Sequence, residues 1–168
     1  AFTASVLQLR PESAGHLTLR SAHMDDHPEI HPNYLATDTD CRTIVKGIQV
    51  ARKIAQFEPL KSHITEEYAP GADVAYDDEE GTLDWARRTS VTIYHPTGTC
   101  KMGTDPMAVI DPRLKVHGIE GLRVADASIM PQIVSGNTNA PAIMIGEKAS
   151  DLASTKTRGQ HVWEEIHV

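Results

Sequence analysis

Tyr94-His95-Pro96-Thr97-Gly98-Thr99-Cys100-Lys101-Met102-Gly103 closes a short apolar run, Ser90 to Tyr94, and opens a glycine-rich loop. The apolar run reads as a strand, so the stretch sets a histidine at a strand end with proline directly after it. Pro96 fixes its own φ and restricts the backbone of His95. Gly98 and Gly103 let the chain bend sharply and come close to a ligand. Imidazole as a chemical group titrates near pH ~6.5, which suits proton transfer near neutrality. On local residues alone, a histidine in a structural turn fits equally well.

Working outward, the upstream residues predict two strands and two helices. Phe2–Leu9 and His16–Arg20 show partial period-two patterning and are joined by Pro11 to Gly15, so they are expected to pair antiparallel. A proline-punctuated loop, His27-Pro28 to His31-Pro32, follows. The first helix is expected over Asp38 to Phe57, with Ile44, Ile48, Ala51 and Ala55 on one stripe. Thr37 or Thr39 can cap it and Pro59 ends it. The acidic run Asp77-Asp78-Glu79-Glu80 reads as the start of a second helix carrying Leu83 and Trp85, where carboxylates meet the positive end of the dipole. Downstream, Leu122 to Ala125 predicts a short strand. A last helix is expected from Pro141, with Ala142, Ile145, Ala149 and Leu152 buried. Strands come early and helices interrupt them irregularly, which gives an α+β class: an antiparallel sheet with flanking helices. From Ser154 the chain is polar and reads as a tail.

Composition narrows the function. The 168 residues are 40% hydrophobic but only 5% aromatic, so the core must rest on aliphatic side chains and Met. Sixteen basic against 23 acidic residues give a net charge of −7, and an acidic chain repels a phosphate backbone, so no nucleic-acid partner is expected. Cys41 and Cys100 cannot form a disulfide framework, and free thiols fit a reducing compartment. No apolar run has the length of a membrane span. Ala1 in place of Met suggests that the natural N-terminus lies further upstream.

A second chemical segment is Asp126-Ala127-Ser128-Ile129-Met130-Pro131, followed by Ser135-Gly136-Asn137-Thr138-Asn139-Ala140-Pro141. Pro141 suits a first helical turn, whose N–H groups and dipole favour negative charge. Asn139 just before it can both donate and accept hydrogen bonds. Asn137 or Asn139 could instead be only the helix N-cap. That explains one asparagine but not the run around it.

Taken in order, His95 to Gly103, Ile110-Asp111-Pro112, Gly121-Leu122-Arg123-Val124-Ala125-Asp126-Ala127-Ser128-Ile129-Met130-Pro131 and Gly136 to Pro141 closely resemble the C-terminal region of glucose–methanol–choline oxidoreductases, in the choline-dehydrogenase-like and bacterial alcohol-dehydrogenase branch. Arg10-Pro11-Glu12-Ser13 and Asn33-Tyr34-Leu35 match it too, so the resemblance spans about Phe2 to Leu152. It implies that His95 is the base toward a substrate hydroxyl and Asn139 its partner, 44 residues on. It implies FAD as cofactor, with Tyr94, Asp126, Ala127, Ala140 and Pro141 contacting it and the last helix aimed at the flavin pyrimidine edge. Residues 1–112 would belong to the substrate-binding part, 113–153 would return to the FAD-binding domain, and 154–168 would be the polar tail. The substrate would be a small alcohol, and oxygen or a quinone-type molecule the electron acceptor. The expected location is cytoplasmic or peripheral to a bacterial inner membrane, and membrane association stays open.

One departure is large: the Gly-x-Gly-x-x-Gly fingerprint that cradles the FAD pyrophosphate is not among these residues. The chain is therefore expected to be the catalytic portion of a longer enzyme and inactive alone. The alternative is a truncated non-catalytic domain or binding module without its own FAD site. No metal site is expected. His23, His27 and His31 recur every four residues, but Pro28 and Pro32 break the helix that would stack them, and Cys100 near His95 lacks the second pair a structural zinc needs.

Overall fold

A computed structural model of the chain describes residues 1–154. It has a two-stranded antiparallel sheet and three helices: β1 (His16–Thr18), β2 (Glu29–His31), α1 (Asp38–Ile54), α2 (Glu79–Thr89) and α3 (Asn139–Ser154). Three single 3₁₀ turns lie at Lys61–His63, Gly71–Asp73 and Ala127–Ile129. The α+β class therefore holds. The residues form two compact units, Ala1–Ile93 and one beginning at Tyr94. That boundary falls just ahead of His95. The tail reading, from residue 155 on, lies outside the described residues.

In the first unit the sheet differs from expectation. β1 pairs with β2, His16 opposite His31 and Leu17 opposite Ile30, and the His16 and His31 rings stack at 4.6 Å. β2 thus sits inside the segment read as a loop. Pro28 and Pro32 flank the strand and do not interrupt it, which is where a ladder tolerates proline. Phe2–Leu9 forms no strand. Alternation marks an extended backbone, but a strand also needs a neighbour to bond, and this segment lies along α1 instead. Gly47, in the middle of α1, makes the approach possible: a Cβ there would lie 2.2 Å from Val6 Cγ1. Mid-helix glycine costs about 1 kcal/mol relative to alanine, so close packing is its physical reason.

α1 is capped by Thr37, whose hydroxyl accepts the Asp40 N–H, and it closes at Ile54, three residues before Phe57. Its deepest residues are Asp40, Cys41 and Val45, one position round from the expected stripe, whose Ile44, Ile48, Ala51 and Ala55 are half-buried. α2 packs on α1, and Asp78 caps it through the Gly81 N–H, so the acidic run is a helix start. Arg52 ties the end of α1 to the loop after it. It forms a two-pronged pair with Glu67 at 2.7 Å and donates to the Gly71 and Val74 carbonyls. The Glu67 hydrogen bonds keep its guanidinium firmly charged.

The second unit is built by short backbone pairings over an aliphatic core of Ile110, Leu114, Ile129, Met130 and Ile145. Ala149 and Leu152 of α3 pack on this core, as the predicted stripe required. Ser90–Tyr94 forms no strand, and Leu122–Ala125 makes a single bridge, Arg123 to Lys115. Each of these runs has too few partner residues for a ladder.

Candidate active site

Tyr94 starts the second unit in the left-handed region, at φ 64°, an uncommon conformation for a bulky residue. The reversal turns the chain into His95. Gly98 then turns it again at φ 89°, where a Cβ would approach the Met130 carbonyl at 3.4 Å. Beyond it, the Cys100 N–H donates to the Ser128 carbonyl at 3.0 Å and the Met102 N–H to the Ile129 carbonyl at 2.8 Å. These two bonds fasten the loop after His95 to the turn at 127–129.

That turn is itself held by Asp126, whose carboxylate accepts the Ser128 N–H at 2.7 Å. The Ser128 hydroxyl and N–H hold the Asp126 carboxyl below the usual carboxylate range, so it stays ionised at neutral pH. Ala127 is half-buried and Asp126 exposed.

α3 begins at Asn139, two residues before the expected start, so Pro141 is the third residue of the helix. Thr138 occupies the N-cap: its carbonyl accepts the Ala142 N–H at 3.0 Å, the first bond of the helix. Neither Asn137 nor Asn139 is the cap. Asn139 and Ala140 are exposed in the first turn, where N–H groups have no partner within the helix.

The two segments meet through one hydrogen bond. His95 Nδ1 lies 2.8 Å from Thr138 Oγ1. Thr138 is 8% exposed and His95 half-buried. The bond holds the imidazole at the start of α3, beside the residue that precedes Asn139. Residue type alone does not single out Thr138 for this contact with His95. The signal was there: a threonine three residues before a proline at a helix start has lost its usual capping target.

The GMC oxidoreductase family model matches residues 11–146. The chain belongs to the GMC oxidoreductase family. Among curated GMC relatives it is 44% identical over 155 residues to the alcohol dehydrogenase [acceptor] of Pseudomonas putida, covering 92% of this chain and 28% of that protein. It is 47% identical over 154 residues to the mitochondrial choline dehydrogenase of Mus musculus, covering 90% of this chain and 26% of that one. The chain thus spans just over a quarter of the length of these relatives. A formate oxidase of Aspergillus oryzae, studied for its FAD modification, superposes with a TM-score of 0.82 at 32% identity, over 89% of this chain and 26% of the oxidase. The pyridoxine 4-oxidase of Mesorbium loti superposes with a TM-score of 0.79 at 28% identity, over 90% of this chain and 29% of its own. No helix among the described residues is long and apolar enough to cross a membrane.

Proposed function

We propose that this chain forms the catalytic part of an FAD-dependent oxidoreductase that converts an alcohol to an aldehyde or ketone. The observation that carries the proposal is the His95–Thr138 hydrogen bond, which ties the histidine loop to the asparagine-bearing helix start. With Nδ1 engaged, Nε2 is the ring nitrogen that takes the substrate hydroxyl proton. If Nδ1 carries the proton and donates to Thr138, Nε2 holds the lone pair a base needs. The Asn139 amide donates to the substrate oxygen as negative charge builds on it, and the positive end of α3 favours the same charge.

The donor set in the structure fits the ring end of FAD. Asn139 and Ala140 present helix-terminal N–H groups, and the exposed Asp126 turn lies in the same unit. Tyr94, Asp126, Ala127, Ala140 and Pro141 would hold the flavin ring. Its pyrophosphate would be held by a glycine-rich turn that these 168 residues do not include. When bound, FAD supplies an acceptor for the hydride of the alcohol carbon. In this proposal residues 1–112 help to shape the substrate site, residues 113–153 return to the FAD-binding domain, and oxygen or a quinone-type acceptor completes turnover.

The test is made on the full-length protein, with a panel of small alcohols including choline, in the presence of oxygen and of an artificial acceptor. At least one alcohol should be oxidised. His95→Ala should lower kcat by about 10²–10⁴-fold, the usual loss for a positioned base, while flavin absorbance stays at the parent level. Oxidation of no alcohol, or a near-normal His95→Ala variant, would remove the proposal.

A further inference from the structure

We infer that Thr138 is a positioning residue that fixes the ring orientation of His95, and that Pro141 is what releases it for this task. The inference rests on the proposed role of His95 as base. A threonine at an N-cap ordinarily accepts the N–H of the second or third helical residue, and the first two helices of this chain use the third. In α1 Thr37 does so to Asp40, and in α2 Asp78 does so to Gly81. In α3 the third residue is Pro141, which has no N–H. The Thr138 hydroxyl therefore has no capping donor there and pairs with His95 Nδ1 at 2.8 Å.

The arrangement is stiff. Thr138 is β-branched, so its χ1 is restricted, and its main chain is fixed by the first bond of α3. Its side chain is buried, where a hydroxyl without a partner is costly. An imidazole facing such a hydroxyl has one ring nitrogen committed. The hydroxyl can donate or accept, so it holds the orientation of the ring and leaves Nε2 as the nitrogen turned to proton exchange; in the proposed base role Nδ1 carries the proton and Nε2 the lone pair.

Thr138→Val and Thr138→Ala in the full-length protein remove the hydroxyl, and Thr138→Ser keeps it. A base displaced from its working geometry typically costs about 10²-fold, so the first two should lose about 10- to 100-fold in kcat with KM and flavin content unchanged, and Ser should restore most of the rate. In protein labelled with ¹⁵N-histidine, the His95 ring-nitrogen shifts should match between the parent and Thr138→Ser and differ in the hydroxyl-free variants. Parental kcat and parental ring-nitrogen shifts in Thr138→Val or Thr138→Ala would overturn the inference. So would a Thr138→Ser as slow as Thr138→Val with its flavin in place. A His95→Ala variant with parental turnover is a different result, since it would remove the reading of the base itself.

Discussion

Thr37, Asp78 and Thr138 stand directly before α1, α2 and α3, and the residue three places on decides what each does. At α1 and α2 the side chain turns inward and accepts the N–H of Asp40 or Gly81. At α3 the third residue is Pro141 and the side chain turns to His95. The first two starts serve stability and the third holds a chemical group. The general lesson is that a helix start with proline at its third position has a cap hydroxyl to spare, and a buried partner for it is a pointer to function.

The third residue of α1 should have the largest effect on stability. Besides donating to Thr37, Asp40 is buried and its two carboxylate oxygens accept the Glu12 N–H at 2.9 Å and the Ser13 N–H at 2.8 Å. Burial pushes its carboxyl up, but the hydrogen bonds from Glu12, Ser13 and Gln8 outweigh that and hold it below the usual range. Asp40→Asn turns one acceptor into an NH₂ group facing a donor. It should destabilise the protein by about 1–3 kcal/mol, the usual cost of a buried polar group left unmatched. Because the folded pKa is depressed, the parent holds this stability above the unfolded value of about 3.9 and loses it as pH falls through the lower folded one. The gap between variant and parent, read by thermal melting, should therefore narrow in acid. Equal melting at neutral pH would show that Asp40 does no more than an ordinary helix residue.

The third residue of α2 gives a smaller effect that depends on its cap. A Cβ on Gly81 would lie 2.2 Å from Asp78 Oδ2. Gly81→Ala should gain about 1 kcal/mol in helix propensity and lose about as much by displacing the capping carboxylate, for a net change near zero. With Asp78→Ala already in place there is no cap to displace, and the same change should stabilise by about 1 kcal/mol. Identical effects in the two backgrounds would mean that Asp78 and Gly81 are not coupled.

These starts also show what was legible in the sequence. The acidic run announced α2, and Thr37 was one of two named caps for α1, because charge and capping preferences act within a few residues. The stripe of α3 was readable for the same reason, since Ile145, Ala149 and Leu152 repeat at helical spacing. Phe2–Leu9 was misread because alternation reports an extended backbone and not the neighbour that would make it a strand. β2 was missed because Pro28 and Pro32 read as loop signals although they only bracket it. His95 and Asn139 stood out by residue type, whereas the buried Thr138 between two asparagines did not, since what binds it is a residue 43 positions away.

Pro141→Ala should leave stability least changed and tests the comparison most directly. Replacing proline where its φ is already suitable costs about 0.4–1 kcal/mol through the unfolded state. The new N–H at the third position gains a cap from Thr138, about 1 kcal/mol, so the two offset and the melting temperature should hardly move. The chemistry should move more. The hydroxyl that faced only His95 now has a second, backbone partner, and two competing hydrogen bonds of similar strength, about 1 kcal/mol each, leave His95 paired in about half of the molecules. Turnover should fall by up to about twofold on that population alone. Since Pro141 is also placed beside the flavin in the proposed site, flavin content is measured alongside, and Thr138→Val is added to the variant. If the proline acts by releasing the hydroxyl, the double variant should be no faster than Thr138→Val alone. Parental turnover in Pro141→Ala, with the new backbone N–H at that position protected from hydrogen exchange, would show that Thr138 can serve helix and histidine together, and the contrast among the three helix starts would carry no functional meaning.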